Sequence, residues 1–148
     1  MTAHSALHVV FKIGGSEYVL AAADVLQMES WTGATRVPGS PPFVAGIVQL
    51  RGKVIPVVDL RTRFGLPAIE ATPDTRIVVG QHRDRVVGLL VESAREVIQV
   101  PAEALKPPPR LMGNDAAGFV RAVAQVGTRL VMLIDLAKVI GEEQLYVE

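Results

Sequence analysis

The chain has 148 residues, 49% of them hydrophobic and only 5% aromatic, with valine at 23 positions and isoleucine at 8, so one domain with a real core is expected and strands are favoured. Fifteen basic residues balance fifteen acidic ones, which removes bulk charge as a reason to bind nucleic acid, an anionic membrane or an acidic substrate. The absence of cysteine excludes disulfides, thiolate metal sites and cysteine nucleophiles, and the histidines at 4, 8 and 82 give no sequence support for a metal site.

In chain order, residues 7–13 and 18–22 read as strands around Gly14, Gly15 and Ser16, because adjacent glycines supply the positive φ angles of a primed hairpin turn. A third strand is expected at 25–28. The Pro-rich connection 37–42 (VPGSPP) follows and cannot be strand or helix interior. Residues 47–50 and 54–58 form the next hairpin, about Arg51, Gly52 and Lys53. Pro56 has no N–H for a ladder, so its strand should be an edge there or carry a bulge. A short helix then begins at the cap Asp59, places Leu60 and Phe64 on one face and stops at Gly65.

Residues 65–75 (GLPAIEATPDT) are the one credible linker. Beyond it come strands at 76–81 and 86–91 around a turn at 82–85, a third strand at 97–100, and Pro- and Gly-containing connections at 106–110 and 113–115. A hairpin at 122–126 and 130–134 turns at Gly127 and Thr128. A last helix is capped by Asp135, places Leu136 and Ile140 on one face, and ends at Gly141, with Glu142 and Glu143 in a polar tail.

The second set of elements repeats the first. Residues 43–65 (FVAGIVQLRGKVIPVVDLRTRFG) lie over 119–141 (FVRAVAQVGTRLVMLIDLAKVIG) without a gap, so that Phe43/Phe119, Val44/Val120, Gln49/Gln125, Asp59/Asp135, Leu60/Leu136 and Gly65/Gly141 coincide. More loosely, ADVLQM at 23–28 resembles REVIQV at 95–100. Two related units of about five short strands each suggest two small barrels or sandwiches in one domain. Packed about a pseudo-twofold axis, they would share apolar surface and leave a groove between them, which suggests binding.

Catalytic motifs fail. The stretch from Gly46 to Val54 has the wrong glycine spacing for a phosphate loop and valine where the Mg²⁺-binding hydroxyl belongs, and no serine lies in a Gly-x-Ser-x-Gly elbow. Asp59 and Asp135 could form a symmetric carboxylate pair, but helix capping explains both their type and position. Arg51, Lys53, Arg61 and Arg63 form a basic cluster of the kind a small-barrel nucleic-acid binder would use; no exposed aromatic series accompanies it, since Tyr18, Phe43 and Phe64 fall on apolar faces. Trp31 reads as a contact or as a lid on one barrel. Despite a mean hydropathy of +0.34, no window approaches the ~18 apolar residues of a spanning helix, and the first ten residues lack a signal-peptide pattern. A cytoplasmic protein is the expectation.

The sequence from Val37 to Leu60 strongly resembles the CheW family of bacterial chemotaxis coupling proteins. The signature is a proline loop, an aromatic-aliphatic pair with glycine, Asn-Leu-Arg-Gly, and an apolar strand with proline ending in Asp-Leu. Here Gln49-Leu50-Arg51-Gly52 and Ile55-Pro56-Val57-Val58-Asp59-Leu60 match, with glutamine for the usual asparagine. The likeness runs from about Leu7 to Ile140 and includes residues 88–98 and 130–136.

That resemblance implies a mainly β fold: a single CheW-like domain over 1–148, built of two pseudo-symmetric five-stranded SH3-like barrels around a shared hydrophobic core, with short helices. Exchange of a strand or tail between the two units is left open. It implies a non-enzymatic adaptor without a cofactor, joining the cytoplasmic tip of methyl-accepting chemoreceptors, a helical hairpin, to the regulatory domain of the histidine kinase CheA. Other CheW-like domains in an array are further partners, and the location is the inner face of the membrane, reached through receptors and not by insertion. Whether the pathway is flagellar or serves another motility is left open. The family's partner-facing surfaces fall on Val25, Gln27 and Met28, on Arg51, and near Pro56 and Val57. Val25 and Met28 read equally as core, because strand alternation leaves their face undecided. Arg51 reads equally as a brace for its turn. Gln27 departs from the acidic residue common at its position.

Overall fold

A computed structural model describes residues 5–109 and 118–141. Gly14 and Gly15, at φ +58° and +83°, turn the chain between β1 (Ser5–Ile13) and β2 (Ser16–Ala21). A 3-10 turn at Ala22–Asp24 leads into β3 (Val25–Ser30). β4 (Val44–Leu50) and β5 (Lys53–Asp59) flank the turn Arg51-Gly52, and α1 (Leu60–Arg63) follows. After a stretch without strand or helix come β6 (Arg76–His82), β7 (Arg85–Val91) and β8 (Ser93–Pro101). A second 3-10 turn at Ala102–Ala104, the short β9 (Leu105–Lys106), β10 (Val120–Val126), β11 (Arg129–Ile134) and α2 (Leu136–Ile140) complete the chain. Arg110, the expected loop at 113–115 and the tail with Glu142 and Glu143 lie outside the described residues.

The strands form a six-stranded sheet, in the order β8-β1-β2-β11-β10-β9, and a five-stranded sheet, β3-β6-β7-β5-β4. The boundary between the sheets does not follow the boundary between the sequence halves. The β1–β2 hairpin joins strands of the second half, and the β6–β7 hairpin joins strands of the first. Each hairpin is joined on one side by parallel pairing, with Tyr18 opposite Met132 and Leu89 opposite Val58, and on the other by antiparallel pairing, of β1 with β8 and of β6 with β3. β2 and β7 require this, because Tyr18, Val19 and Leu20 are buried in sequence, as are Val87, Gly88 and Leu89. A strand buried on both faces belongs in a sheet interior.

The repeat is visible in the hydrogen bonds. Asp59 N donates to Phe43 O and Asp135 N to Phe119 O, both at 2.8 Å. β4 bulges between Val44 and Gly46, and β10 between Val120 and Ala122. Asp59 accepts from Arg61 N at 3.0 Å and Asp135 from Lys138 N at 3.2 Å, so both cap the helices that follow. β5 is an interior strand despite Pro56, whose missing N–H is tolerated because pairing with β7 begins only at Val57.

Three apolar clusters account for the valine excess. One fills the six-stranded unit around Val10, Val19, Ala124 and Val131, and another fills the five-stranded unit around Ile55, Val57, Ile77 and Val79. The third and largest lies between the sheets and includes Phe11, Tyr18, Leu60, Phe64, Leu136 and Ile140. The few aromatics concentrate there. Ring centroids run from Phe11 to Tyr18 (6.2 Å), to Phe64 (5.3 Å) and to Phe119 (5.5 Å). Trp31 instead packs on the five-stranded unit's interior, as a lid.

Candidate docking surfaces

β3 is an edge strand, pairing only with β6. Its exposure alternates: Leu26, Met28 and Ser30 are exposed, and Val25, Gln27 and Glu29 are half-buried. Met28 lies opposite Val78 of the shared cluster, so its side chain stands on the face turned toward the other sheet, yet it is 42% exposed. Leu26 is 52% exposed. Val25 packs against the shared core. Gln27 lies opposite Val79 and donates from Nε2 to Glu29 Oε2 at 2.8 Å.

The other side of the same seam belongs to β1 and β8. Leu7 and Val97 are 51% and 49% exposed. Leu7 and Val9 share the face of β1 that carries Phe11 and Ile13 into the shared cluster, and Val97 pairs with Val9. The two sheets touch where β1 meets β7 and the Ala22–Asp24 turn, and where β6 meets β8. Leu7 and Val97 on one sheet, and Leu26 and Met28 on the other, are thus exposed apolar side chains on the faces turned toward the opposite sheet, and these four define the apolar seam. Neither Leu7, Leu26 nor Val97 was expected from the sequence; the alternation of Leu26 with Met28 was the available signal.

Arg51 occupies a second surface. It takes a left-handed φ of 52° beside Gly52 at 78°, is exposed, and has no hydrogen-bond or ion-pair partner among the described residues. Neither bracing the turn nor joining the sheets occupies it. Pro56 and Val57 are buried, Val57 completely, in the five-stranded unit. Their side chains are thus withdrawn from direct contact in the folded chain, because β5 is covered on both faces.

The basic cluster does not form an open patch. Arg61 donates from Nε to Pro67 O at 2.8 Å and from NH1 to Glu92 Oε2 at 2.7 Å. Arg63 donates to Val139 O at 3.0 Å and Lys138 O at 3.2 Å while its guanidinium lies over Phe43. Asp59 borders a cavity of about 310 Å³ with Arg61 and Glu92, but Asp135 is not in its lining, so the two carboxylates do not share that cavity. On the six-stranded unit, Arg129 makes two hydrogen bonds to Glu17 (3.0 and 3.0 Å) and two to Glu96 (2.7 and 2.7 Å), linking β11, β2 and β8. The Arg129 hydrogen bond holds the Glu96 carboxyl below the usual carboxylate range, and the same contacts push the guanidinium further up. Among the described residues no three His, Cys, Asp or Glu side chains gather to hold a metal, and no helix is long and apolar enough to cross a membrane.

The model of the CheW-like domain matches residues 7–144. The chain is 36% identical over 135 residues to the chemotaxis protein CheW of Bacillus subtilis, covering 91% of this chain and 86% of that one. It is 33% identical to the chemotaxis protein CheW of Rhizobium meliloti, covering 92% and 88%. The crystal structure of the scaffolding protein TtCheW from Thermoanaerobacter tengcongensis superposes with a TM-score of 0.86 at 31% identity, covering 94% of each chain.

Proposed function

The chain belongs to the CheW family of chemotaxis proteins, and from that premise we propose that it couples methyl-accepting chemoreceptors to the histidine kinase CheA as a non-catalytic scaffold. The observation that carries the assignment of surfaces is the apolar seam flanked by Leu7, Leu26, Met28 and Val97. A receptor's cytoplasmic tip is a helical hairpin, and an amphipathic helix seats its apolar face in such a seam. Exposed large apolar groups gathered along one line, on a chain of zero net charge, suit recognition by shape.

The kinase's regulatory domain takes the separate surface around Arg51. A free guanidinium on a rigid turn offers several directed donors to carboxylates or carbonyls. Pro56 and Val57 support that hairpin from within, and Val25 supports β3 in the same way. Gln27 acts through Glu29, which keeps a charge on a strand whose own position 27 is neutral. Other CheW-like domains in an array use the same surfaces. The protein works at the cytoplasmic face of the membrane, held there by receptors. Residues 1–148 act as one domain whose two units arose by internal duplication, with 65–75 between them.

Reconstitution tests this. Purified chain, a soluble receptor cytoplasmic fragment and CheA are mixed, and autophosphorylation is followed with each component omitted in turn. A ternary complex, with kinase output that depends on receptor only when this chain is present, is the expected result. Receptor-coupled phosphorylation in its absence, with no binding to either partner, would overturn the reading.

A further inference from the structure

Glu92 is the single residue between β7 of the five-stranded sheet and β8 of the six-stranded sheet. It is bonded to both. Its Oε2 accepts from Gly14 N at 2.6 Å, in the β1–β2 turn of the six-stranded sheet, and from Arg61 NH1 at 2.7 Å, in the helix that ends the other sheet's β5. Its own N–H donates to Lys12 O at 3.1 Å. Arg61 in turn donates to Pro67 O, so the connection between the halves is tied to the same point. The Arg61 and Glu92 side chains are only 16% and 28% exposed, which shields the pair from the screening that weakens surface bridges.

The corresponding crossover from β2 to β3 is different. The 3-10 turn at Ala22–Asp24 has no side-chain cap, and among the described residues none of its side chains hydrogen-bonds across the seam. One crossover is clamped by a shared carboxylate, and the one beside Leu26 and Met28 is not. β1 connects the two ends, running from Leu7 at the seam to Gly14 at the clamp, about 23 Å of strand. A small rotation at Glu92 is therefore amplified at the seam.

We infer that Glu92 is a latch that fixes the angle between the two sheets and so sets the width of the apolar seam; the consequence for receptor binding rests on the docking reading above. Since the chain contains no cysteine, Lys53→Cys and Thr128→Cys place a spin-label pair on exposed turns of the two sheets. Pulsed dipolar spectroscopy then gives the distance distribution in the full chain, alone and with Glu92→Gln or Arg61→Gln. The expected result is a single narrow distribution that becomes at least twice as broad, or moves, in both variants while thermal unfolding stays cooperative. An unchanged distribution overturns the latch. So does loss of cooperative folding in both variants, since the bridge would then hold the core and not an angle between intact sheets. If only Glu92→Gln fails to fold, Arg61→Gln cuts the same bridge from the other side. Receptor-fragment affinity is measured on the same proteins: a broadened distribution with undiminished affinity keeps the latch and rejects the seam as the receptor site.

Discussion

The guanidinium carbon of Arg63 stands 3.8 Å from the centroid of the Phe43 ring. It is also 4.8 Å from that of Phe119, and these two phenylalanines hold equivalent places in the two repeats. Arg63 corresponds to Val139 in the second repeat, so the repeat is broken on its own axis by a cation clasped between symmetric rings. The same side chain bonds the carbonyls of Lys138 and Val139 in the last turn of α2, where a cation complements the helix C-terminus. Arg63→Ala should cost about 2–3 kcal/mol, from the lost ring contacts and a part-buried hydrogen bond. Urea denaturation measures it. Arg63→Lys should recover less than half, because an ammonium cannot lie flat between two rings while bonding two carbonyls.

Met28→Glu places a charge in the apolar seam without touching the core. Because Met28 is exposed on an edge strand, stability should stay within about 0.5 kcal/mol. Affinity for a receptor fragment should fall at least about tenfold, as for a central apolar anchor. Leu130→Glu, the same change at an exposed site on β11, is the control and should leave affinity intact. Equal effects of the two would remove the seam as a docking site.

Arg51 separates side chain from backbone. Its φ of 52° is strained for a residue with a Cβ by about 1–2 kcal/mol, more than the ~0.4–1 kcal/mol that glycine adds in unfolded-chain entropy. Arg51→Gly should therefore stabilise the fold by up to about 1 kcal/mol, and Arg51→Ala should leave it unchanged. Both should weaken CheA binding by the same factor. Titration calorimetry with the CheA regulatory domain decides it: full affinity in both variants would return Arg51 to an ordinary turn residue.

The features legible in the sequence are those whose causes are local. Gly14-Gly15, the caps Asp59 and Asp135, and the glycines after the helices each act within a few residues, so their signals survive without tertiary context. The mixing of the halves is not legible, because the parallel joins of β2 to β11 and β5 to β7 bring together strands remote in sequence. Pro56 and Val57 fall near a partner surface only through the family resemblance. In β5 the run from Ile55 to Val58 is buried on both faces, and no polar residue marks an outside. Leu7 and Val97 lie in apolar strand patterns, and nothing local marks either as exposed. Arg61 and Arg63 read as part of a basic cluster of the kind a nucleic-acid binder uses, yet their partners are carbonyls and a carboxylate brought close by the fold.

Acid should weaken the Arg129 clamp through Glu96. Its carboxyl titrates below the usual range because Arg129 donates to it, so the folded state binds that proton less readily than the unfolded chain. The contribution is then fully present above the unfolded-state pKa and is lost as pH falls through the lowered folded value. Urea midpoints of the parent should exceed those of Glu96→Gln at pH 7 and converge with them at the acid end. A difference constant across that interval would mean that Glu96 contributes by packing alone.

Gly46 is the position least able to accept a side chain. A Cβ there would lie 2.4 Å from Thr35 O and 2.8 Å from Thr35 C, both backbone atoms, and its φ is +148°. Next to it, Thr35 and Ile47 exchange two hydrogen bonds, N to O at 2.9 and 2.8 Å, and this bridge holds the segment after Trp31 against β4. Alanine must push that backbone away, losing the pair at about 1 kcal/mol each and adding backbone strain of about 1–3 kcal/mol. Gly46→Ala should therefore destabilise by about 3 kcal/mol or more. Gly33→Ala isolates the backbone component, since Gly33 also has a positive φ, +98°, but nothing within 4 Å of a Cβ; it should cost about 1 kcal/mol. Trp31 reports the difference. Displacing the Thr35 bridge lifts the lid off Ile55 and Val57, so Trp31 emission should shift to the red in Gly46→Ala and stay in place in Gly33→Ala. Equal destabilisation of the two, with unshifted emission in both, would show that the Thr35 contact contributes nothing beyond the turn geometry.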